Sequence, residues 1–217
     1  VHREDEEKRL VAGAAAEFVE DGMHVGLGTG STVAYLLAAL ARRHVKAIFV
    51  ATSPRTEQAA RALGIVVEPF DTLDRLDLAI DGADQITPDG WLIKGGGGAH
   101  TREKIIAASS KRFVVIADST KLVDALHAPV PLELLAFGLA STLRRLQPTR
   151  LREAAPSPDG GLIADYLGDI EDPTELALRL SATPGVVEHG LFPPKLVTEV
   201  LIGVGETISR LAIGGTR

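Results

Sequence analysis

Between Ile80 and Lys104 the chain concentrates groups able to move a proton beside a carbonyl. Asp81-Gly82-Ala83-Asp84 is followed by Lys94, by Gly95, Gly96, Gly97 and Gly98, and then by Thr101-Arg102-Glu103-Lys104. Consecutive glycines make poor helix and poor strand, because each adds backbone entropy and no side chain to pack. What they offer is access: without Cβ atoms, successive N–H groups converge on one oxygen, as in the nests that hold anions. Lys94 adds a cation, and Asp81, Asp84 and Glu103 add proton acceptors. Together they supply donors for a developing oxyanion and candidates for a base. The other reading is a flexible linker with solvated charges, but linkers are richer in Ser and Pro and join domains, whereas this run separates two apolar segments.

Gly26-Leu27-Gly28-Thr29-Gly30-Ser31-Thr32 suits a second task, the holding of a phosphate. It falls between a predicted strand and a predicted helix, where free N–H groups and the helix dipole favour an anion. Ser31 stands where the dinucleotide fingerprint needs its last glycine, the next strand ends in Thr52-Ser53 without an acidic ribose ligand, and the lysine of a P-loop is missing. Thr29, Ser31 and Thr32 fit a small phosphomonoester held without metal, and they equally fit a plain strand-to-helix turn. Asp81 and Asp84 follow the apolar run Leu76–Ile80, which predicts a place at the carboxyl end of a strand, where open α/β sheets bind ligands. A helix cap or a Mg²⁺ site is the alternative for a pair so spaced. The six histidines form neither H-E-x-x-H nor a close pair, so a His-based metal site is not expected. His100 reads as a loop residue.

These residues need a scaffold, and periodicity supplies one. An Ala-rich helix is predicted over Glu6–Glu20, with Leu10, Val11, Ala14 and Phe18 on its apolar face. Strands over Met23–Leu27, Ala47–Ala51, Ile65–Val67, Leu76–Ile80 and Arg112–Ala117 alternate with helices over Val33–Arg43, Pro54–Leu63 and Thr101–Ser109. Such alternation predicts an α/β fold with a Rossmann-like parallel sheet covered by helices. The prolines of His127-Ala128-Pro129-Val130-Pro131 mark a boundary. Beyond it, strand Leu132–Ala136, helix Phe137–Leu146, a hairpin of Arg150–Glu153 with Leu162–Tyr166, a helix to Ser181 opened by Asp172-Pro173, and strand Val186–Phe192 give β-α-β-β-α-β. That is the order of a smaller, ferredoxin-like α+β domain. The expected division is 1–128, completed by the tail 196–217, with 129–195 as the second domain.

Composition narrows the function classes. The 217 residues carry 23 Lys and Arg against 29 Asp and Glu, a net charge of −6, with no basic block and few aromatics, which disfavours nucleic-acid binding. No cysteine is present, so thiolate nucleophiles, disulfides and Cys-based metal sites are excluded. No apolar run approaches the roughly 20 residues of a membrane span. The residues Val1–Lys8 lack the hydrophobic core of a signal peptide, and a cytoplasmic location is expected.

Taken together, Gly28–Thr32, Asp81-Gly82-Ala83-Asp84-Gln85-Ile86 and Lys94–Ala99 with Arg102-Glu103-Lys104 closely resemble the type A ribose-5-phosphate isomerases. The resemblance extends to Lys8, to Ala117-Asp118-Ser119-Thr120-Lys121 and to Pro184–Phe192. It implies interconversion of D-ribose 5-phosphate and D-ribulose 5-phosphate in the pentose phosphate pathway, with no metal or organic cofactor, by a homodimer or larger homo-oligomer. By the same resemblance Glu103 is the base that moves a proton between C2 and C1, and Asp81 assists ring opening. Lys94 with the amides of Gly95, Gly96 and Gly97 holds the oxyanion, and Asp84 orients Lys94 and the hydroxyls. Thr29, Gly30, Ser31, Thr32 and Lys8 bind phosphate, Lys121 completes the pocket, and Gly82 and Ala83 line it. Gln85, His100-Thr101 and Asp159-Gly160-Gly161 depart from the family's pattern. A sugar-phosphate sensor would need the phosphate loop but not the base, and a coenzyme A transferase relative would need room for its cofactor.

Overall fold

Val25, Leu27, Ile80, Ile116 and Leu201, contributed by four neighbouring strands, form one buried layer around which the chain is built. A computed structural model describes residues 3–214. The first half runs α1 (Arg3–Ala16), β1 (His24–Leu27), α2 (Ser31–Arg43), β2 (Ile48–Ala51), α3 (Pro54–Ala62) and β3 (Leu78–Asp81). Two short strands, β4 (Gln85–Ile86) and β5 (Leu92–Ile93), precede α4 (His100–Ser109) and β6 (Phe113–Asp118). Then come β7 (Val130–Leu134), α5 (Leu139–Arg145), β8 (Thr149–Leu151), β9 (Leu162–Tyr166), α6 (Pro173–Ser181) and β10 (Val186–His189). The chain closes with β11 (Leu191–Phe192), β12 (Glu199–Val204) and β13 (Thr207–Ala212).

The main sheet has the order β13-β12-β6-β3-β1-β2 and is parallel except for β13. Its strands are nearly continuous apolar runs because helices cover both faces. On one face, Val11, Ala12 and Ala15 of α1 and Leu36, Leu37 and Leu40 of α2 pack on Leu27, Ile80 and Ile116. On the other, Ala79, Val115 and Ala117 meet Ile106 of α4 and Phe192. Parallel strands put all their carboxyl ends at one edge, so the segments after β1, β2, β3 and β6 gather there. The tail returns as β12, which pairs with β6, and β13, which pairs with β12 at the sheet edge.

The second sheet is antiparallel with the order β10-β7-β9-β8, which is the ferredoxin-like arrangement of β-α-β-β-α-β. Asp172 caps α6 by accepting from the amides of Thr174 and Glu175 at 2.7 and 3.2 Å. A third sheet, β11-β5-β4, lies where the two larger ones meet. No helix among the described residues is long and apolar enough to cross a membrane.

Several elements differ from the sequence expectation. The first helix stops at Ala16, and its buried side is Glu7, Val11, Ala12, Ala15 and Ala16, with Leu10 only half-buried and Ala14 and Phe18 half-buried against the margin of the core. An alanine-rich run has too little apolar contrast to name its own inner face, and nothing in it announces a buried Glu7. Residues 65–67 make a single bridge, Phe49 to Val67, and no strand. Pro131 sits inside β7. Its carbonyl accepts from the Gly190 amide at 2.7 Å, on the side where pairing with β10 has already ended at His189, so the missing N–H costs no ladder bond. The predicted strand over residues 186–192 breaks at Gly190, β10 staying in the second sheet and β11 joining the third. The outermost residues of the expected 1–128 and 196–217 segments, 1–2 and 215–217, lie outside the described residues.

Candidate active site

At the carboxyl edge of the main sheet a cavity of roughly 250 Å³ opens between three loops. Thr29 to Val33 form one wall, Gly82, Ala83 and Asp84 a second, and Lys94, Gly95, Gly96, Gly97 and Glu103 a third, with Arg55 and Lys121 completing the lining. A larger cavity of roughly 650 Å³ lies against another side of α4, among Ile105, Leu135, Phe70 and Arg102. There the Arg102 guanidinium is already closed on Asp159 through bonds of 2.6 to 3.1 Å. The smaller cavity holds the buried acid and base groups and is the candidate site.

Its floor is a buried charge cluster. Lys94, 2% exposed, places Nζ 2.8 Å from Asp81 Oδ2 and 3.1 Å from Glu103 Oε2, and donates to the Gly82 carbonyl at 2.6 Å. Asp81 ends β3, and its Oδ1 accepts from the amides of Gly82 at 2.7 Å and Thr29 at 3.1 Å. Glu103 comes from the first turn of α4. Burial pushes its carboxyl above the usual range, the Asp81 carboxylate pushes the same way, and Lys94 opposes them. Burial also raises Asp81 against the pull of Lys94. Burial alone would lower Lys94, but Asp81 and Glu103 outweigh it and keep the ammonium charged. A carboxyl group with a raised pKa beside a fixed cation can accept a carbon-bound proton while the cation stabilises the enolate oxygen.

The glycines are needed where chains approach one another. A Cβ on Gly28 would lie 1.8 Å from Asp81 Oδ1, so only glycine lets the Gly28–Thr32 loop rest on that carboxylate. Gly95 has φ +106, and a Cβ there would meet His100 and Pro131 at under 3 Å. The Gly96 amide donates to Asp84 Oδ2 at 2.8 Å, which leaves the N–H groups of Gly95 and Gly97 without an acceptor among the described residues. Arg152, from the small sheet's side, donates to the carbonyls of Gly95 and Gly96 at 3.1 and 3.0 Å while gripping Asp165. By holding the Gly95 and Gly96 carbonyls, Arg152 fixes the two peptide planes that carry the N–H groups of Gly96 and Gly97.

Not every expected residue is placed as the sequence reading had it. Asp81 does not line the cavity, and both its oxygens are engaged; it holds Lys94 and the loop from behind. Thr29 lines the cavity but spends its hydroxyl on a cluster, donating to Ser53 Oγ at 2.8 Å beside Thr52 and Thr56 hydroxyls at 2.9 and 3.1 Å. Gly30, Ser31 and Thr32 line the cavity at the start of α2. Lys8 is absent from the lining and lies 3.7 Å from the buried Asp118 Oδ2, below the Ser119–Lys121 turn. His100 is no loop residue. It is the first residue of α4, fully buried, and burial with Lys104 nearby pushes its pKa down to about 4.

The departures acquire structural reasons. The Gln85 amide donates to the His127 carbonyl at 2.8 Å and accepts from its amide at 2.9 Å, a pairing that a carboxylate could not complete. Asp159 ties the hairpin to α4 through Arg102. Sequence reasoning missed Arg55 and Arg152, because an isolated arginine carries no signal until the sheet order is known.

A Rossmann-like sheet with a phosphate-type loop, a glycine nest and a buried Lys–Asp–Glu cluster at one edge defines an α/β enzyme built for proton transfer on a small anionic substrate. Comparison with known proteins makes this specific. The ribose 5-phosphate isomerase A (phosphoriboisomerase A) family profile matches residues 48–207, and the chain belongs to that family. Ribose-5-phosphate isomerase A of Caulobacter vibrioides is 48% identical over 223 residues, covering 95% of this chain and 98% of its own. That of Rhodopseudomonas palustris is 47% identical over 216 residues, covering 90% and 93%. The crystal structure of the Neisseria gonorrhoeae enzyme superposes with a TM-score of 0.92 at 32% identity, covering 97% of this chain and 98% of the other.

Proposed function

We propose that this chain interconverts D-ribose 5-phosphate and D-ribulose 5-phosphate, with Glu103 as the base. A D-ribose-5-phosphate isomerase of the same fold, with a TM-score of 0.90 and 33% identity over 96% of this chain and 99% of the other, has been solved with phospho-erythronic acid. The observation that carries the reading is the buried Glu103–Lys94–Asp81 cluster facing the Gly30–Thr32 loop across one cavity.

In this reading Glu103 removes the C2 proton of the open-chain aldose, and the electrons of the C–H bond form the C1–C2 double bond of an enediolate. The same carboxyl returns the proton to C1 while the proton of the C2 hydroxyl passes to O1, leaving a hydroxyl on C1 and the ketone at C2. Lys94 and the amides of Gly95 and Gly97 stabilise the enediolate oxygen, each such donor being worth about 3 kcal/mol. Asp81 contributes to ring opening through the ammonium it holds, and Asp84 orients substrate hydroxyls. The phosphate is held by Gly30, Ser31 and Thr32 at the start of α2, with Lys121 over the sugar and Lys8 supporting the turn that carries it. Residues 1–128 with 196–217 form the catalytic domain, and 129–195 the domain that steadies its glycine loop. The enzyme acts in the cytoplasm as a homodimer or larger homo-oligomer.

The purified protein is expected to form ketose from ribose 5-phosphate with unphosphorylated ribose a far poorer substrate. Binding of ribose 5-phosphate without ketose formation would instead identify a sensor.

A further inference from the structure

Two neighbouring parallel strands, β1 and β2, deliver their following helices to the same edge of the sheet. The first turn of α3 is clamped to the phosphate loop: Thr56 Oγ1 donates to the Gly28 carbonyl at 2.8 Å, and the Ser53 hydroxyl, which caps α3, joins the Thr29 cluster. Arg55 sits in that clamped turn and lines the cavity beside Thr29 to Val33 and Lys121. It is exposed and makes no hydrogen bond or ion pair among the described residues. Its own helix offers it no free carboxylate, since Glu57 is paired with Arg61 at 2.7 Å.

The other cations are largely spoken for. Lys94 is neutralised by Asp81 and Glu103, and Lys8 stands between Glu4 and Asp118 at 3.8 and 3.7 Å. Arg55 and Lys121 are the cations lining the cavity without an ion-pair partner among the described residues. A phosphomonoester brings up to two negative charges into a protein whose net charge is −6, and needs cationic compensation there. A guanidinium fork matches two phosphate oxygens at once.

We propose that Arg55 is a specificity-determining residue that closes on the substrate phosphate opposite Lys121 and selects phosphorylated from neutral pentoses. The inference rests on the reading that this cavity takes a sugar phosphate. Steady-state kinetics with ribose 5-phosphate, and competitive inhibition by inorganic phosphate, test it in wild type, Arg55→Gln, Arg55→Lys and Thr32→Ala. Arg55→Gln should raise both KM and the phosphate inhibition constant about tenfold, equivalent to about 1.4 kcal/mol, with kcat changed by less than about twofold and the melting temperature unmoved. Arg55→Lys, which keeps the charge and loses the fork, should fall between. The difference should shrink in high salt, because an exposed charge is screened. If Thr32→Ala raises both constants and Arg55→Gln raises neither, the Arg55 proposal is overturned and the phosphate reading stands. If neither variant moves them, the cavity is not a phosphate site and both fail.

Discussion

Lys94 and Glu103 show how far a single residue's chemistry depends on what surrounds it. Removing Glu103 from water costs its charged form more than the Lys94 ion pair returns, so its carboxyl titrates above the ordinary range. A base must be deprotonated to work. Turnover should therefore rise with pH along a limb displaced upward from the 4.5 of an ordinary glutamate, and fall as pH drops through that raised value. A kcat–pH profile whose acid limb lies at or below the ordinary glutamate value would contradict this. At this scale the sequence was informative where residues sit in one contiguous, unusual segment: Asp81, Asp84, Lys94 and Glu103 all come from it. It was silent where partners are distant. The Thr29 hydroxyl is committed to residues 23 to 27 positions away, and Arg152 reaches Gly95 across 57.

At the scale of elements, the site depends on one contact between β1 and β3. The Gly28 amide donates to the Ile80 carbonyl at 3.0 Å, and the loop then runs directly over Asp81. Gly28→Ala would drive a methyl group into that carboxylate, swing it off Lys94 and displace the Gly28–Thr32 loop. Misplacing catalytic groups by about 1 Å costs on the order of 10²-fold. The Gly28→Ala variant should lose at least that much in kcat/KM, and near wild-type kinetics would show that the loop does not depend on this fit. Elements with caps or a strong apolar run were legible: Asp172-Pro173 announced α6, and the apolar run of β6 announced a strand. The two-residue strands β4, β5 and β11 are too short to show a period, and their pairing is set by tertiary contact.

Across the whole molecule, the small antiparallel unit is joined to the glycine loop and α4 by several charged bridges. Arg152 holds the Gly95 and Gly96 carbonyls, Arg102 meets Asp159, and Lys104 meets Glu188 and the His189 carbonyl, both at 2.6 Å. The parallel sheet and the ferredoxin-like order could be read from element alternation, but these bridges could not, because they join segments that only the fold brings together. Their common effect is to fix the helix that carries Glu103, the carboxyl proposed to move the proton between C2 and C1. The most direct test incubates wild type and Glu103→Gln with ribose 5-phosphate in D₂O and follows ketose formation and deuterium at carbon in the same sample. The amide fills the same space and accepts no proton, so the variant should stay folded, still bind inorganic phosphate, and lose at least the roughly 10²- to 10⁴-fold that a positioned base supplies. Ketose formation by Glu103→Gln at the wild-type rate would rule Glu103 out as the base.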